Sequence, residues 1–441
     1  MASRPDEPCN HPPSIFMDPW LTAEGDALKQ LSEIVVEAVE RTISTQLTRQ
    51  ARSDAIARRR LVVENIMANA TILALRPDID FTHHLAIATE KRKPTRYDRA
   101  DYPQNLLAPI LIALDGQGIV KRHPYVFKQR TTTVELEADL LAAIGLRGVS
   151  LSDVGRKHGA EPIWLNARTG ETDFRNHAPL KHRVSYNDTS ESETLRREML
   201  RVNEFLTQSD FRFAGERQGP VALRRIFLLR SLNDAHAFNL SGRLFGGWWQ
   251  DLKSELRHLI TIGSEPIADL DFASCFANLA YICATGRTYD GDPYDIPGLE
   301  MHRGAAKMAM LSLLSRSSDM RRLSPQLKAA LPEGWTAKQL VEAFSHRHPV
   351  LVDSFGRDIG VELMATESKI MVALLLKLET MGIPAMGLHD GIQVADVDKG
   401  KAMEAMYYVS ERILGAPLEV AEKTILRPLK ADGCYPRINF P

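Results

Sequence analysis

Apolar residues recur at three- and four-residue spacing from Leu21 to about Leu75, with Leu28, Leu31, Ile34, Val35 and Ala38 in one stripe. That is the period of an amphipathic helix. A second helix is predicted over 53–73. It carries Arg58, Arg59 and Arg60 in a row, which suits either a solvated face or one that meets phosphates. Beyond residue 80 the segments shorten. A short apolar helix is expected over 104–114, a turn at Asp115-Gly116-Gln117-Gly118, strands near 119–121 and 131–134, and a closing helix over 135–144. Helix, turn, hairpin and helix in that order look like a winged-helix module. From 145 to 190 the chain is rich in Gly, Asp, Asn, Ser and His without periodicity, so a linker or irregular segment is expected. Helices are predicted again at 190–208 and 222–232.

Composition changes this picture little. The 441 residues suffice for two or three domains, and a net charge of −1 gives no general attraction to nucleic acid. Local clustering does more. From Phe81 to Arg130 nine Lys/Arg (Lys91, Arg92, Lys93, Arg96, Arg99, Lys121, Arg122, Lys128, Arg130) face four Asp/Glu. A phosphate-binding role is therefore expected there, with Lys121, Arg122, Lys128 and Arg130 as contacts. Four scattered cysteines exclude a disulfide framework or a four-ligand zinc site, and Cys275 and Cys283 read as buried free thiols. No apolar run is long enough to cross a bilayer, and the first residues lack the apolar core of a signal peptide. The expectation is a cytoplasmic protein with no membrane partner, beginning with a disordered tail over 1–20.

The chemistry concentrates between Phe238 and Asp398. In Ile267-Ala268-Asp269-Leu270-Asp271-Phe272 an apolar strand ends in an aspartate before a helix-like run that includes Phe276. A carboxylate at a strand's C-terminal end can face a cleft, although such a residue is also a common helix N-cap. Arg303 and Lys307 stand four apart on a predicted helix, so both cations share a face, with no acid apparent opposite them. In Met386-Gly387-Leu388-His389-Asp390-Gly391 a tight turn between two strands presents a second carboxylate at a hairpin tip. Phosphoryl transfer from a nucleoside triphosphate needs two carboxylates bridging two divalent ions, plus cations for the leaving pyrophosphate. Asp271, Asp390 and the Arg303/Lys307 pair supply each part once.

This order of motifs resembles the palm and fingers of family A DNA polymerases and of single-subunit phage RNA polymerases. Asp271-Phe272-Ala273-Ser274 is similar to the first carboxylate motif, Arg303-x3-Lys307 to the fingers-helix motif, and His389-Asp390 to the second carboxylate motif. Ser241-Gly242-Arg243-Leu244 with Arg257 resembles the segment touching primer or template, and Ala365-Thr366-Glu367-Ser368, ahead of a long helix, the template-side segment. The resemblance spans about 160 residues. It implies an α+β fold: a right-hand palm with reduced fingers over 235–441, after a mostly helical N-terminal half. That half would comprise a helical and winged-helix-like region over 21–150 and linker and thumb-like helices over 151–234.

The implied activity is template-dependent nucleotidyl transfer to a 3′-hydroxyl. Asp271 and Asp390 would hold two Mg2+ (or Mn2+), and Arg303, Lys307, Phe276, Leu311 and Ser315 would line the nucleotide site. His389 would position the hairpin tip or primer end, and Arg243, Arg257, Glu367 and Ser368 would meet nucleic acid. The implied partners are a template and primer, DNA before RNA, and nucleoside triphosphates. Two departures stand out: Phe276 sits where family A DNA polymerases carry a ribose-excluding Glu, and Ser315 where they carry a Tyr. Two other classes stay open, a metal-dependent phosphohydrolase using His389-Asp390 and a non-enzymatic DNA-binding factor built on 80–150.

Overall fold

The computed structural model describes residues 12–425 apart from 46–51, 77–78, 80–81, 91–92, 127–129 and 173–178. Lys91, Arg92, Lys128, Cys9, Cys434 and the first eleven residues therefore lie outside the described residues. The fold is mixed, 46% helix and 20% strand, which rules out an all-helical protein. The described residues form two compact units, one within 12–160 and 210–220, the other within 161–209 and 221–425.

In chain order the elements begin with β1 (Ser14–Phe16), β2 (Leu21–Ala23), α1 (Asp26–Ser44), α2 (Ser53–Leu75) and β3 (His84–Ile87). Next come α3 (Leu107–Gly116), β4 (Val120–His123), β5 (Thr132–Leu136), α4 (Ala138–Leu146) and β6 (Val154–Arg156). Then follow β7 (Ile163–Thr172), β8 (Pro179–Arg183), α5 (Ser190–Gln208), β9 (Phe211–Phe213), β10 (Glu216–Arg217), β11 (Arg224–Leu229) and β12 (Ser241–Phe245). The C-terminal half adds β13 (Ile260–Ile262), β14 (Glu265–Phe272), α6 (Cys275–Thr285), α7 (Arg303–Ser315), α8 (Pro325–Ala330) and α9 (Ala337–Arg347). Last are α10 (Gly360–Thr380), β15 (Ala385–Gly387), β16 (Gly391–Ala395), α11 (Lys399–Leu414) and β17 (Val420–Lys423).

In the first unit α1 buries Leu28, Leu31 and Val35 of the expected stripe, with Val39 beside them, against Val62, Val63, Ile66 and Met67 of α2; Ala38 is buried too, while Ile34 is exposed. The arginine run has an internal use. Arg59 pairs with Glu40 and Arg60 with Glu33, so two of the three guanidiniums tie α2 to α1. The α3–β4–β5–α4 order predicted from the sequence is present, and the hairpin belongs to a four-stranded sheet ordered β1-β3-β5-β4. The described part of the tail expected over 1–20 is ordered: Ser14–Phe16 runs parallel to β3 in that sheet.

The second unit begins in what reads as a linker. β7 is the longest strand of the described residues and lies between β8 and β11. Its Ile163, Leu165 and Ala167 point inward while Trp164, Asn166 and Arg168 alternate with them, a period-two pattern. The helix expected over 222–232 is instead β11, parallel to β7 with Phe227, Leu228 and Leu229 buried. A short apolar run does not distinguish a buried strand from a buried helix by periodicity. A second sheet centres on β14, which pairs antiparallel with β13, β16 and β17, while β15 and β16 form the expected hairpin. Trp249, fully buried, donates its indole N–H to the Gly387 carbonyl at 2.9 Å and anchors the hairpin's first strand. No helix of the described residues is long and apolar enough to cross a membrane.

Candidate active site

Residues of β14, the β15–β16 turn, α10, β12 and β17 form one cluster in the second unit. β14 registers Asp271 against Gly391, so Asp390, the last turn residue before β16, lies beside it, and Phe272 N–H donates to the Asp390 carbonyl at 2.9 Å. Gly391 is needed here. A Cβ at that position would fall 2.8 Å from Asp271 Oδ1 and collide with the Leu270 carbonyl, so the third residue of the His-Asp-Gly turn is what lets the two aspartates approach. The 119 positions separating them in sequence are closed by one antiparallel ladder.

Asp271 is 9% exposed. Burial, then the adjacent Asp390, pushes its carboxyl up from 3.8 to about 6, while Lys423 opposes the rise. Lys423 Nζ sits 2.7 Å from Asp271 Oδ2; Oδ1 is buried with no hydrogen-bond partner. A buried acceptor without a donor, next to a second carboxylate, suits a hard oxygen-seeking cation. Asp271 and Asp390 thus fit Mg2+ by donor chemistry, with Lys423 supplying positive charge at the same oxygen pair in its absence.

A third carboxylate stands close. Glu367 is 3% exposed, and burial raises it to about 7 although Arg243 pulls it down. Asp390 and Asp271 both contribute to that rise. Arg243 Nε donates to Glu367 Oε2 at 2.6 Å. The next residue, Ser368, donates to the Gly242 carbonyl, and the buried Arg225 Nε reaches both Ser368 Oγ, at 3.0 Å, and that carbonyl, at 3.2 Å. Gly242 has φ +81°, and a Cβ there would stand 2.8 Å from Phe227 Cε1. The Gly-Arg and Glu-Ser segments read separately from the sequence therefore interlock. Glu367 and Ser368 lie inside α10, not ahead of it. With both groups bonded internally, the template contacts expected of Glu367 and Ser368 have no exposed side chain to make them.

His389 is held below its ordinary value by burial and then by Arg243, so its ring is neutral at pH 7. Nδ1 has no partner, and the ring meets the exposed Phe245 edge-on at 5.5 Å. Cys275, fully buried, feels Glu367, Asp390 and Asp271, and burial raises its thiol well above the usual range. Cys283, expected to be buried, is exposed.

Arg303 opens α7, but it is not the unopposed cation the sequence suggested. Asp292 accepts from its Nε at 2.6 Å and from its Nη2 at 3.1 Å, and its guanidinium lies 5.0 Å from the Tyr294 ring centre. Lys307, one turn on, is exposed and has no ion-pair partner among the described residues. Leu311 and Ser315 complete that face half-buried, and Ser315 Oγ packs against the backbone of Gly360 at the start of α10. Phe276 is only 5% exposed; in this conformation it packs in the core instead of gating a sugar.

Other expected contacts are committed elsewhere. Arg257 Nη1 is bound to the buried Asp269 at 2.7 Å, so it braces β14 and does not reach for nucleic acid. In the first unit Arg99 is buried against Asp101 and the Pro19 carbonyl. Lys121 is exposed and lies 3.5 Å from Glu135, while Arg122 and Arg130 are half-buried.

Lys423, Arg225 and Asp292 escaped sequence reasoning. Lys423 lies 33 positions past Asp390 in a strand with no motif of its own. Only the β14–β17 pairing brings it to Asp271. Compared with models of known families, the chain matches none, and a search of curated proteins returns no match.

Proposed function

We propose that the second unit is a template-dependent nucleotidyltransferase of the family A polymerase type, adding nucleotides to a 3′-hydroxyl. The observation that carries this reading is the pair Asp271/Asp390, set side by side on β14 and the hairpin turn, with Oδ1 of Asp271 buried and unpartnered. In the reaction the 3′-oxygen bonds to the α-phosphorus, the bond to the β-phosphate bridging oxygen breaks, pyrophosphate leaves, and the hydroxyl proton is lost. Two Mg2+ held by Asp271 and Asp390 would supply the charge neutralisation and hydroxyl activation this step requires.

The protein's own groups would divide the remaining work. Lys307, free on the exposed face of α7, meets the triphosphate, joined by Arg303 once it leaves Asp292. Lys423 keeps one oxygen of Asp271 ionised before substrate arrives. His389, with Nδ1 unpartnered, can accept a hydrogen bond from the primer end. Arg243, locked to Glu367, positions α10 behind the turn. Deoxynucleotides remain the proposed substrate class and RNA synthesis the nearest variant. The exposed Lys121 keeps a phosphate-binding role for the first unit within the proposal.

The test is primer extension with Mg2+ and labelled nucleotides by wild type, Asp271→Ala and Asp390→Ala. Template-dependent extension abolished by both substitutions supports the proposal. Normal extension by either variant refutes the metal-ligand assignment. Phosphate release without extension favours a phosphohydrolase, and duplex binding without catalysis a non-enzymatic factor.

A further inference from the structure

The first unit carries a second constellation, independent of the aspartate pair. His84 stands on β3, His123 on β4 and Glu135 on β5. The registers Leu85↔Val134 and Lys121↔Glu135 put His84, His123 and Glu135 on the same face of the sheet, because side chains alternate with period two. One ligand-type atom from each lies within 4.8 Å of the other two. The imidazoles stack 4.8 Å apart, tilted by 18°. We propose that His84, His123 and Glu135 form a transition-metal site, best suited to Zn2+, that cross-links the β4–β5 hairpin to β3.

Two features support the site beyond proximity. His123 Nε2 and Glu135 Oε2 are 3.4 Å apart. That is about the 3.4 Å edge of a tetrahedron with metal–ligand bonds near 2.1 Å, so these two ligands are already spaced for one ion. His84 Nδ1 lies 3.3 Å from Thr133 Oγ1. With Nδ1 donating there, Nε2 is left as the ligand atom, the outer hydrogen bond typical of metal-bound histidine.

Two imidazoles and one carboxylate select Zn2+ or Co2+ over Mg2+, which prefers oxygen ligands. Three protein ligands leave a fourth position for water. The competing charges are Lys121, whose Nζ is 3.5 Å from the same Glu135 oxygen, and Arg130, which acts on His84. A metal displaces Lys121 from Glu135, so Lys121 limits affinity instead of contributing to it.

The experiment uses the full chain, with Zn2+ titrated against a chromogenic chelator and Co2+ read by its visible d–d absorption. One Zn2+ is expected per chain, with tetrahedral-type Co2+ bands and a rise in melting temperature on Zn2+ addition. His123→Gln and Glu135→Gln, both partly exposed, should each weaken Zn2+ at least tenfold, and Lys121→Met should tighten it. Asp271→Asn should leave it unchanged, separating this site from the aspartate pair. If His84→Gln fails to fold by circular dichroism, the other two variants decide. No Zn2+ uptake by wild type, or uptake by His123→Gln and Glu135→Gln that matches wild type, overturns the assignment.

Discussion

Asp271→Asn tests the electrostatics of the site without requiring any substrate. The native carboxyl titrates near 6, against 3.8 for the ordinary group, because burial and Asp390 disfavour its ionised form more than Lys423 favours it. A displacement of about two units is worth about 3 kcal/mol at 1.36 kcal/mol per unit. The sign follows from proton binding. Between pH 4 and 6 the native state holds a proton the unfolded chain has released, so stability falls as pH rises. This contribution is fully present below about pH 3.8 and is lost as pH passes about 6. Above that, the metal-free protein bears the whole cost of a buried charge beside another.

Asparagine keeps the shape and removes the charge, and Lys423, 47% exposed at its side chain, can turn to solvent. The variant should therefore be more stable than wild type at pH 7 by up to about 3 kcal/mol. For a unit of this size that corresponds to roughly 6–12 °C in melting temperature. The advantage should vanish near pH 4, and millimolar Mg2+ should stabilise wild type but not the variant. Thermal melts at pH 4, 5, 6 and 7, with Mg2+ or chelator, measure all of this. A variant that melts at or below wild type at pH 7 in chelator, or a difference independent of pH, refutes the reasoning.

Three further outcomes are expected. Arg243→Met leaves Glu367 buried without its partner and should cost about 3 kcal/mol; because Glu367 is already raised to about 7, the loss should be larger at pH 8 than at pH 5, and equal losses in urea melts at both would contradict it. Asp292→Asn should release Arg303 for the triphosphate, lowering the nucleotide KM several-fold at unchanged kcat in steady-state extension. The pair is largely exposed, so stability should move by less than about 1 kcal/mol, and an unaltered KM would show that the pair does not restrain Arg303. Gly242→Ala forces a side chain into the left-handed region against Phe227 and should cost about 2 kcal/mol or more; a wild-type urea midpoint would show that β12 can shift freely.

How much could be read beforehand depended on whether the signal was local. The α1 stripe and the boundaries of α5 follow from helical period alone. The β15–β16 hairpin follows from a short turn between two apolar runs, and Gly391 now has a steric reason for being there. β11 and β7 failed for opposite reasons. β11 is apolar at nearly every buried position and so has no visible period. β7 alternates, but its outward Asn166 and Arg168 gave it the composition of a loop. The aspartates could be named because each sits at a strand end marked by its neighbours. Their charge partners could not: Lys423 meets Asp271 through β17, and Asp292 meets Arg303 from a loop that carries no motif. Side chains that answer one another across a fold leave no pattern along the chain.

The most direct test of nucleotidyl transfer is single-nucleotide incorporation on four primer–templates that differ only in the first unpaired template base. With Mg2+ and each nucleotide offered separately, the wild-type protein should extend each primer by the complementary nucleotide. Extension indifferent to the template base, or none with any of the four, would contradict the account.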